Sequence, residues 1–138
     1  MFLIDTDVLS ALSRPHRNER VGMWFAQRQR SDLFVSVISI GEIERGIDAK
    51  RRVDTEHADR LSNWLNQLLA AYEERIVPFD LRAARRWGRL SAAIGNSNPD
   101  LQIAATALEH GLTVVTRNIS HFTPTGVRTL DPLAGPKS

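Results

Sequence analysis

The chain has 138 residues, 42% of them hydrophobic and 25% charged, which is enough for one soluble globular domain with its own core. It has no cysteine, which excludes disulfides, thiolate metal sites and cysteine nucleophiles and fits a cytoplasmic location. The net charge is only +2, but 16 of the 18 basic residues are arginines, whose guanidinium groups match phosphates, so the composition permits a nucleic-acid partner.

Short apolar runs alternate along the chain with amphipathic helices. The runs favour buried parallel strands over residues 2–4, 33–37, 75–77 and 113–115, with a fifth strand at an edge over 127–130. No apolar run approaches the ~18 residues that span a bilayer, so we expect no membrane partner.

Three segments show the apolar stripe of an amphipathic helix: residues 61–72, 84–94 and 99–110. Their leucines and tryptophans are interpreted as core residues. The alternation of strands and helices predicts an α/β fold with a central parallel sheet of four to five strands flanked by helices. We expect a single domain over residues 1–133 and a flexible tail over 134–138.

Acidic and polar residues cluster at the predicted carboxyl edge of this sheet. Asp5 and Asp7 come directly after the first strand, and Glu42 is expected in the first turn of the helix that follows the second. Asp100 begins the helix that leads into the fourth strand, so it also lies at this edge. Thr116, Arg117 and Asn118 leave that strand there. The crevice outside these strand ends is where parallel α/β sheets bind ligands.

Each acid also has a purely structural alternative. Residues 39–42 fit a capping box, in which Glu42 binds the backbone amide of Ser39, and Asp5 and Asp100 can complement helix N-termini. Taken together, however, converging carboxylates repel one another, and a cation is needed to neutralise them. Carboxylates without thiolate or histidine companions indicate Mg²⁺ or Mn²⁺, which proteins use to attack phosphodiesters.

Four blocks of the sequence carry a family resemblance: residues 2–10, 37–46, 100–107 and 114–118. In this order and at these separations they resemble the PIN-domain ribonucleases, specifically the VapC-like toxins of bacterial type II toxin–antitoxin pairs. The resemblance covers nearly the whole chain. It implies a PIN-like fold and a Mg²⁺- or Mn²⁺-dependent endoribonuclease that cleaves RNA. It also implies a cognate antitoxin that neutralises the enzyme, and a homodimer.

The resemblance also implies roles for particular residues. Metal binding and water activation fall on the three acids Asp5, Glu42 and Asp100. The family's fourth acidic position falls on Asn118, and Asp7 stands where the family usually has Asn. Our hypothesis is that Asp7 supplies the charge missing at Asn118, whose carbonyl oxygen can still serve the ion. Thr116 matches a polar position that supports the site.

Two other functions remain open at this point. The departure at Asn118 is compatible with a catalytically weakened PIN-like module that only binds a partner or RNA. Residues 2–8 also resemble the first motif of haloacid-dehalogenase-type phosphatases, with Asp5 as nucleophile and Asp7 as general acid. Those enzymes need a buried lysine and a later acidic pair. The only lysines are Lys50 and Lys137, and no such pair follows Asp100.

Overall fold

The computed structural model describes residues 1–134; the rest of the expected tail, residues 135–138, lies outside the described residues. The centre of the fold is a five-stranded parallel sheet with the strand order β3-β2-β1-β4-β5. The strands are β1 (Phe2–Ile4), β2 (Leu33–Ser36), β3 (Ile76–Val77), β4 (Thr113–Val115) and β5 (Thr129–Leu130). This architecture confirms the predicted fold class and the edge position of β5.

In the described part of the chain, seven α-helices flank the sheet: α1 (Thr6–Ala11), α2 (Glu19–Ala26), α3 (Val37–Arg51), α4 (Thr55–Tyr72), α5 (Leu81–Ile94), α6 (Pro99–His110) and α7 (Ile119–Phe122). The three stripes predicted from the sequence correspond to α4, α5 and α6. The short helix α2 has no counterpart among the predicted helices, because eight residues contain too little of a stripe to detect. Within residues 1–134 no helix is both long and apolar enough to cross a membrane.

Alternate residues of the central strands enter two separate cores. Ile4 on β1, with its neighbours Val35 and Val115, packs beneath α1 to α4 on one face of the sheet. Leu3 and Val114 pack against α6 and α7 on the other face. All five side chains are fully buried, and each contributes roughly 1.5–3 kcal/mol through burial. Both cores therefore hold β1 in the middle of the sheet, at the point where the strand order reverses.

Helix α3 begins earlier than the sequence suggested. The strand predicted to reach residue 37 ends at Ser36, whose side chain accepts a hydrogen bond from the backbone N–H of Ile38 at 3.0 Å and so caps the helix. The alternative of a capping box at residues 39–42 is therefore excluded, and the prediction that Glu42 lies in the first turn of α3 is wrong, because it lies in the second. The reason is that a serine cap outcompetes the β preference of the two residues that follow it. Glu42 is consequently free to make contacts outside its own helix.

Candidate active site

Asp5 is the most deeply placed acid at the carboxyl edge of the sheet. It follows β1 and caps α1, and it is only 3% exposed. Its Oδ1 accepts a hydrogen bond from the backbone N–H of Thr6 at 2.8 Å, and its Oδ2 accepts one from the Thr116 hydroxyl at 2.8 Å. Burial raises the pKa of Asp5 to about 6; the charges of Asp100 and Asp7 add to the rise, while the hydrogen bond from Thr116 opposes it. The fold thus holds in place a carboxylate that lacks an opposite charge.

Glu42 reaches the same edge from α3 through a contact with Thr6. The Thr6 hydroxyl lies 2.6 Å from Glu42 Oε1 and 2.8 Å from the Ser39 hydroxyl. A hydroxyl has one proton and an ionised carboxylate only accepts, so Thr6 donates to Glu42 and accepts from Ser39. Thr6 therefore connects Asp5, through its backbone, to Glu42, through its side chain. No sequence signal singled out Thr6 beyond its place next to Asp5.

Asp100 and His121 form a further pair at this edge. Asp100 lies in the first turn of α6, which Pro99 begins, and its Oδ2 is 3.1 Å from Nδ1 of His121 on α7. The charge of Asp100 contributes to the raised pKa of Asp5. Sequence reasoning assigned no role at the site to His121, because its distance from Asp100 depends on how α7 packs against α6.

Thr116 and Asn118 follow β4 and play different parts. Thr116 is fully buried; besides donating to Asp5, its hydroxyl accepts a hydrogen bond from the backbone N–H of Asn118 at 2.9 Å. Asn118 is the residue before α7, and its side chain makes no capping hydrogen bond. Thr116 therefore positions the carboxylate of Asp5 through its hydroxyl group. The same hydroxyl holds the backbone of Asn118, not its side chain.

Asp7 lies in α1 and forms an ion pair that the sequence did not suggest. Its Oδ2 accepts hydrogen bonds from Nε and Nη2 of Arg117 at 3.0 and 2.8 Å, and Nη1 of Arg117 is 3.4 Å from Asn18 Oδ1. Asp7 is half-exposed, so the pair adds little to stability, about 0.2–1 kcal/mol. Asp7, which was expected to supply charge beside the three metal ligands, is thus partly neutralised by the guanidinium group of Arg117.

The donor set of this edge suits a hard divalent cation, although the ligands are not arranged around one. Among residues 1–134, no three His, Asp or Glu side chains form a ready-made metal-binding group. Asp5, Glu42 and Asp100 nevertheless offer carboxylate oxygens, the donors that Mg²⁺ and Mn²⁺ prefer. Within the described part of the chain, neither Asp5 nor Glu42 is paired with a lysine or arginine. A cation would supply that missing charge in competition with the contacts to Thr6 and His121.

A cleft of about 490 Å³ opens beside these carboxylates, between α1, α3 and α4. Thr6, Asp7 and Glu42 line one end of it, and Arg117 lies at the same mouth. A polymer that passes through this cleft would therefore reach the carboxylate edge directly.

Known proteins resemble this chain over almost its whole length. The sequence pattern that defines the PIN domain matches residues 2–122. "VapC ribonuclease Y4jK" from Sinorhizobium fredii is 33% identical over 96% of this chain and 97% of its own length. "Toxin FitB" from Neisseria gonorrhoeae is 30% identical over 96% and 98% of the two chains. Among solved structures, "Crystal Structure of FitAcB from Neisseria gonorrhoeae" superposes with a TM-score of 0.85 at 31% identity, covering 97% of this chain and 99% of the other.

Proposed function

The chain belongs to the PIN domain family, as its four sequence blocks indicated, and from that premise we propose that it is a divalent-metal-dependent endoribonuclease that acts as a toxin. A curated relative with the name of a ribonuclease and another with the name of a toxin, both matched over nearly their full lengths, support the proposal. The single structural observation that carries it is Asp5: a buried, firmly held carboxylate with a raised pKa and with like charges beside it.

The carboxylates of Asp5, Glu42 and Asp100 would hold the proposed ion. When bound, such an ion lowers the pKa of water and offsets charge on the phosphate oxygens of a scissile bond. The protein's own residues prepare this site. Thr116 and the backbone of Thr6 fix both oxygens of Asp5, and the Thr6 hydroxyl keeps Glu42 at the same edge. The neighbouring arginines attract the RNA backbone to the cleft.

The proposal includes partners that follow from the family resemblance. A cognate antitoxin neutralises the toxin, and the toxin assembles as a homodimer. RNA as substrate and an antitoxin as partner place the protein in the cytoplasm.

Purified protein incubated with a mixed RNA substrate tests the proposed activity. We expect cleavage in Mn²⁺ or Mg²⁺, loss of cleavage when a chelator is added, and recovery when excess Mn²⁺ is restored. Asp5→Asn serves as the matched inactive protein, because it removes a charge but little volume. Equal cleavage with and without chelator would contradict the metal-dependent mechanism.

A catalytically weakened module that only binds its partner is the second candidate. The observation that favours it is that Asn118 stands at the family's acidic position and that no metal-binding group is preformed among the described residues. Such a module would bind RNA or antitoxin without cutting RNA in Mn²⁺. The phosphatase alternative loses its support, because the chain belongs to the PIN domain family. In addition, Asp7, which would be the general acid of a phosphatase, forms an ion pair with Arg117.

A further inference from the structure

We propose that a pocket beside the start of α2 binds a phosphate group, and that its occupation is coupled to the carboxylate edge through Arg117. This α2 pocket has a volume of about 410 Å³, within the usual range of small-ligand sites. It shares Arg17, Asn18 and Arg117 with the cleft between α1, α3 and α4, but its other walls come mostly from the start of α2 and from Leu133. The phosphate site does not depend on the proposed ribonuclease function. Only its effect on a metal ion at the carboxylates rests on that function.

The walls of the α2 pocket are held in place by the core beneath α1 to α4. Val21 of α2 is 1% exposed in that core, and Leu133 packs against the same core. The backbone N–H of Leu133 donates a hydrogen bond to Asp131 Oδ1 at 2.8 Å, and the Leu133 carbonyl accepts one from Nη2 of Arg20. The pocket is therefore a formed part of the fold, and one of its cations is already oriented.

The charges that line the α2 pocket are mostly positive. The guanidinium groups of Arg17, Arg20 and Arg117 line it together with a single carboxylate, that of Glu19. Within residues 1–134, neither Arg17 nor Arg20 forms an ion pair, and Glu19 pairs with none of the three arginines. Guanidinium groups bind phosphate oxygens through paired N–H donors of fixed geometry. Three positive charges against one negative charge leave an excess of two, which a doubly charged phosphate group would balance.

Arg117 connects the α2 pocket with the carboxylate edge. It lines the pocket, its Nε and Nη2 donate to Asp7 Oδ2 at 3.0 and 2.8 Å, and its Nη1 is 3.4 Å from Asn18 Oδ1. Both contacts are weak, because Asp7 is half-exposed and because 3.4 Å is long for a hydrogen bond. A phosphate ester carries close to two negative charges and three acceptor oxygens. It would therefore attract the guanidinium group of Arg117 away from Asp7.

Release of Arg117 would return the negative charge of Asp7 to the carboxylate edge. The charge of Asp7 already contributes to the raised pKa of Asp5. A cation at the carboxylates would be attracted more strongly once a nearby acid is no longer neutralised. Phosphate in the α2 pocket should therefore tighten metal binding, and by linkage the metal should tighten phosphate binding by the same factor.

Titration calorimetry of metal-free protein with adenosine 5′-monophosphate (AMP) tests the phosphate site. The buffer contains chloride and no chelator, because chelators are polyanions that would compete for the same cations. We expect wild type to bind AMP and inorganic phosphate, but not adenosine, which lacks the phosphate group. Tighter binding of AMP would identify a phosphate ester as the ligand, and tighter binding of inorganic phosphate would identify the free anion. Binding of adenosine as tightly as AMP, or binding of neither phosphate compound, would overturn the proposal.

A pair of double variants shows whether the arginines of the α2 pocket are responsible. Arg17→Ala, Arg20→Ala should weaken AMP binding at least about tenfold, since hydrogen bonds to charged groups are the strong ones. Arg82→Ala, Arg85→Ala removes the same charge from the exposed face of α5 and should change AMP binding less than about twofold. Equal weakening in both double variants would overturn the proposal, because it would indicate a general attraction of exposed arginines for anions.

A single variant guards against a loss of folding in the double variant. Arg17 is exposed, and its side chain makes no ion pair within residues 1–134, so Arg17→Ala should unfold in urea at the wild-type midpoint. It should still weaken AMP binding by about threefold or more. Wild-type affinity for AMP in this folded variant would contradict the assignment of Arg17 to the phosphate site.

The link through Arg117 is measured as the change in Mn²⁺ affinity that saturating AMP causes. We expect wild type to bind Mn²⁺ about fivefold more tightly with AMP, at the lower end of the usual range for coupled sites. Asp7→Asn should still bind AMP but should lose most of this increase, because it has no charge to release. Arg17→Ala, Arg20→Ala should show no increase, which controls for complexes of Mn²⁺ with AMP in solution. Unchanged Mn²⁺ affinity in AMP-saturated wild type would contradict the link.

These outcomes separate the inference from the proposed function. RNA cleavage in Mn²⁺ by a protein that binds neither AMP nor inorganic phosphate would overturn the phosphate site while the ribonuclease function stands. Binding of AMP that depends on Arg17 and Arg20, in a wild-type protein that never cuts RNA, would support the phosphate site while the proposed catalysis fails.

Discussion

Two of the surfaces on which this protein carries exposed arginines differ in their surroundings. In the cleft, Arg14 and Arg17 face a cavity that ends at Asp7 and Glu42. On the outer face of α5, the exposed residues Arg82, Arg85 and Arg89 follow one helix that contains no acid, while Arg86 pairs with Glu109 of α6 at 2.6 Å. Arginine content alone does not distinguish the two surfaces. The carboxylates and the cavity occur together only at the cleft, so we expect RNA cleavage there and not at α5.

The largest expected effect is the loss of RNA cleavage when a carboxylate is removed. Asp5→Asn, Glu42→Gln and Asp100→Asn should each lower kcat/KM by at least about 100-fold, since direct ligands matter more than the outer contacts whose loss costs ~10–100-fold. Arg82→Ala, Arg85→Ala, Arg89→Ala on α5 should stay within about threefold of wild type. Initial rates of RNA cleavage in Mn²⁺ give kcat/KM for the carboxylate variants and for the α5 variant. A comparable loss in the α5 variant would remove the distinction between the surfaces.

Growth of the host provides a coarser form of the same comparison. Expression of the wild-type chain without antitoxin should arrest growth, because uncontrolled RNA cleavage is toxic, and the α5 variant should arrest it equally. Asp100→Asn should permit normal growth. Colony counts after induction, with soluble protein checked by immunoblot, give the result. Normal growth with soluble wild-type protein would favour the binding module.

The pKa values of Glu109, which pairs with α5, and of Asp5, at the carboxylate edge, are shifted in opposite directions. The free energy of unfolding should therefore depend on pH differently at the two places. The hydrogen bond from Arg86 lowers the pKa of Glu109, whereas burial raises the pKa of Asp5 to about 6 from 3.8. Because the folded protein favours the protonated form of Asp5, this group contributes its full stabilisation below about pH 4. The contribution is lost as the pH rises through about 6, where Asp5 ionises in the folded protein. For Asp5 the loss amounts to up to about 3 kcal/mol in metal-free protein.

Urea unfolding in chelator at several pH values between 4 and 8 measures this effect. Asp5→Asn should remove it, so the variant should gain stability relative to wild type as pH rises. Added Mn²⁺ should reverse the ranking at neutral pH, because the ion stabilises only the protein that binds it. A pH-independent difference between the two proteins would show that Asp5 is not destabilised by burial.

The smallest effect concerns Asp7 and Asn118. If Asp7 supplies charge that Asn118 lacks, Asp7→Asn weakens Mn²⁺ binding and a further Asn118→Asp restores it, with a coupling of roughly 0.5–3 kcal/mol. The ion pair with Arg117 already neutralises part of that charge, so we expect a value near the lower end. Calorimetric titration of the four proteins decides it. Strictly additive binding energies would leave Asp7 as the residue that positions Arg117.

Sequence reasoning located the acids but not the contacts that organise them. Asp5 and Asp100 could be placed at one edge because parallel strands share their carboxyl ends, and this holds whatever the side chains do. The pairing of Asp7 with Arg117 joins residues 110 positions apart and depends on side-chain reach across two elements. The contact between Thr6 and Glu42 likewise depends on how α1 packs against α3. Such contacts leave no periodic signal in the sequence.

Binding of Mn²⁺, followed by titration calorimetry on metal-free protein, tests most directly whether the carboxylate end of the cleft is the catalytic centre. Wild type and the α5 triple-arginine variant should bind Mn²⁺ with equal affinity, and Asp5→Asn and Asp100→Asn should each bind it at least about tenfold more weakly. Wild-type affinity in both carboxylate variants would place the ion elsewhere and contradict the proposed site.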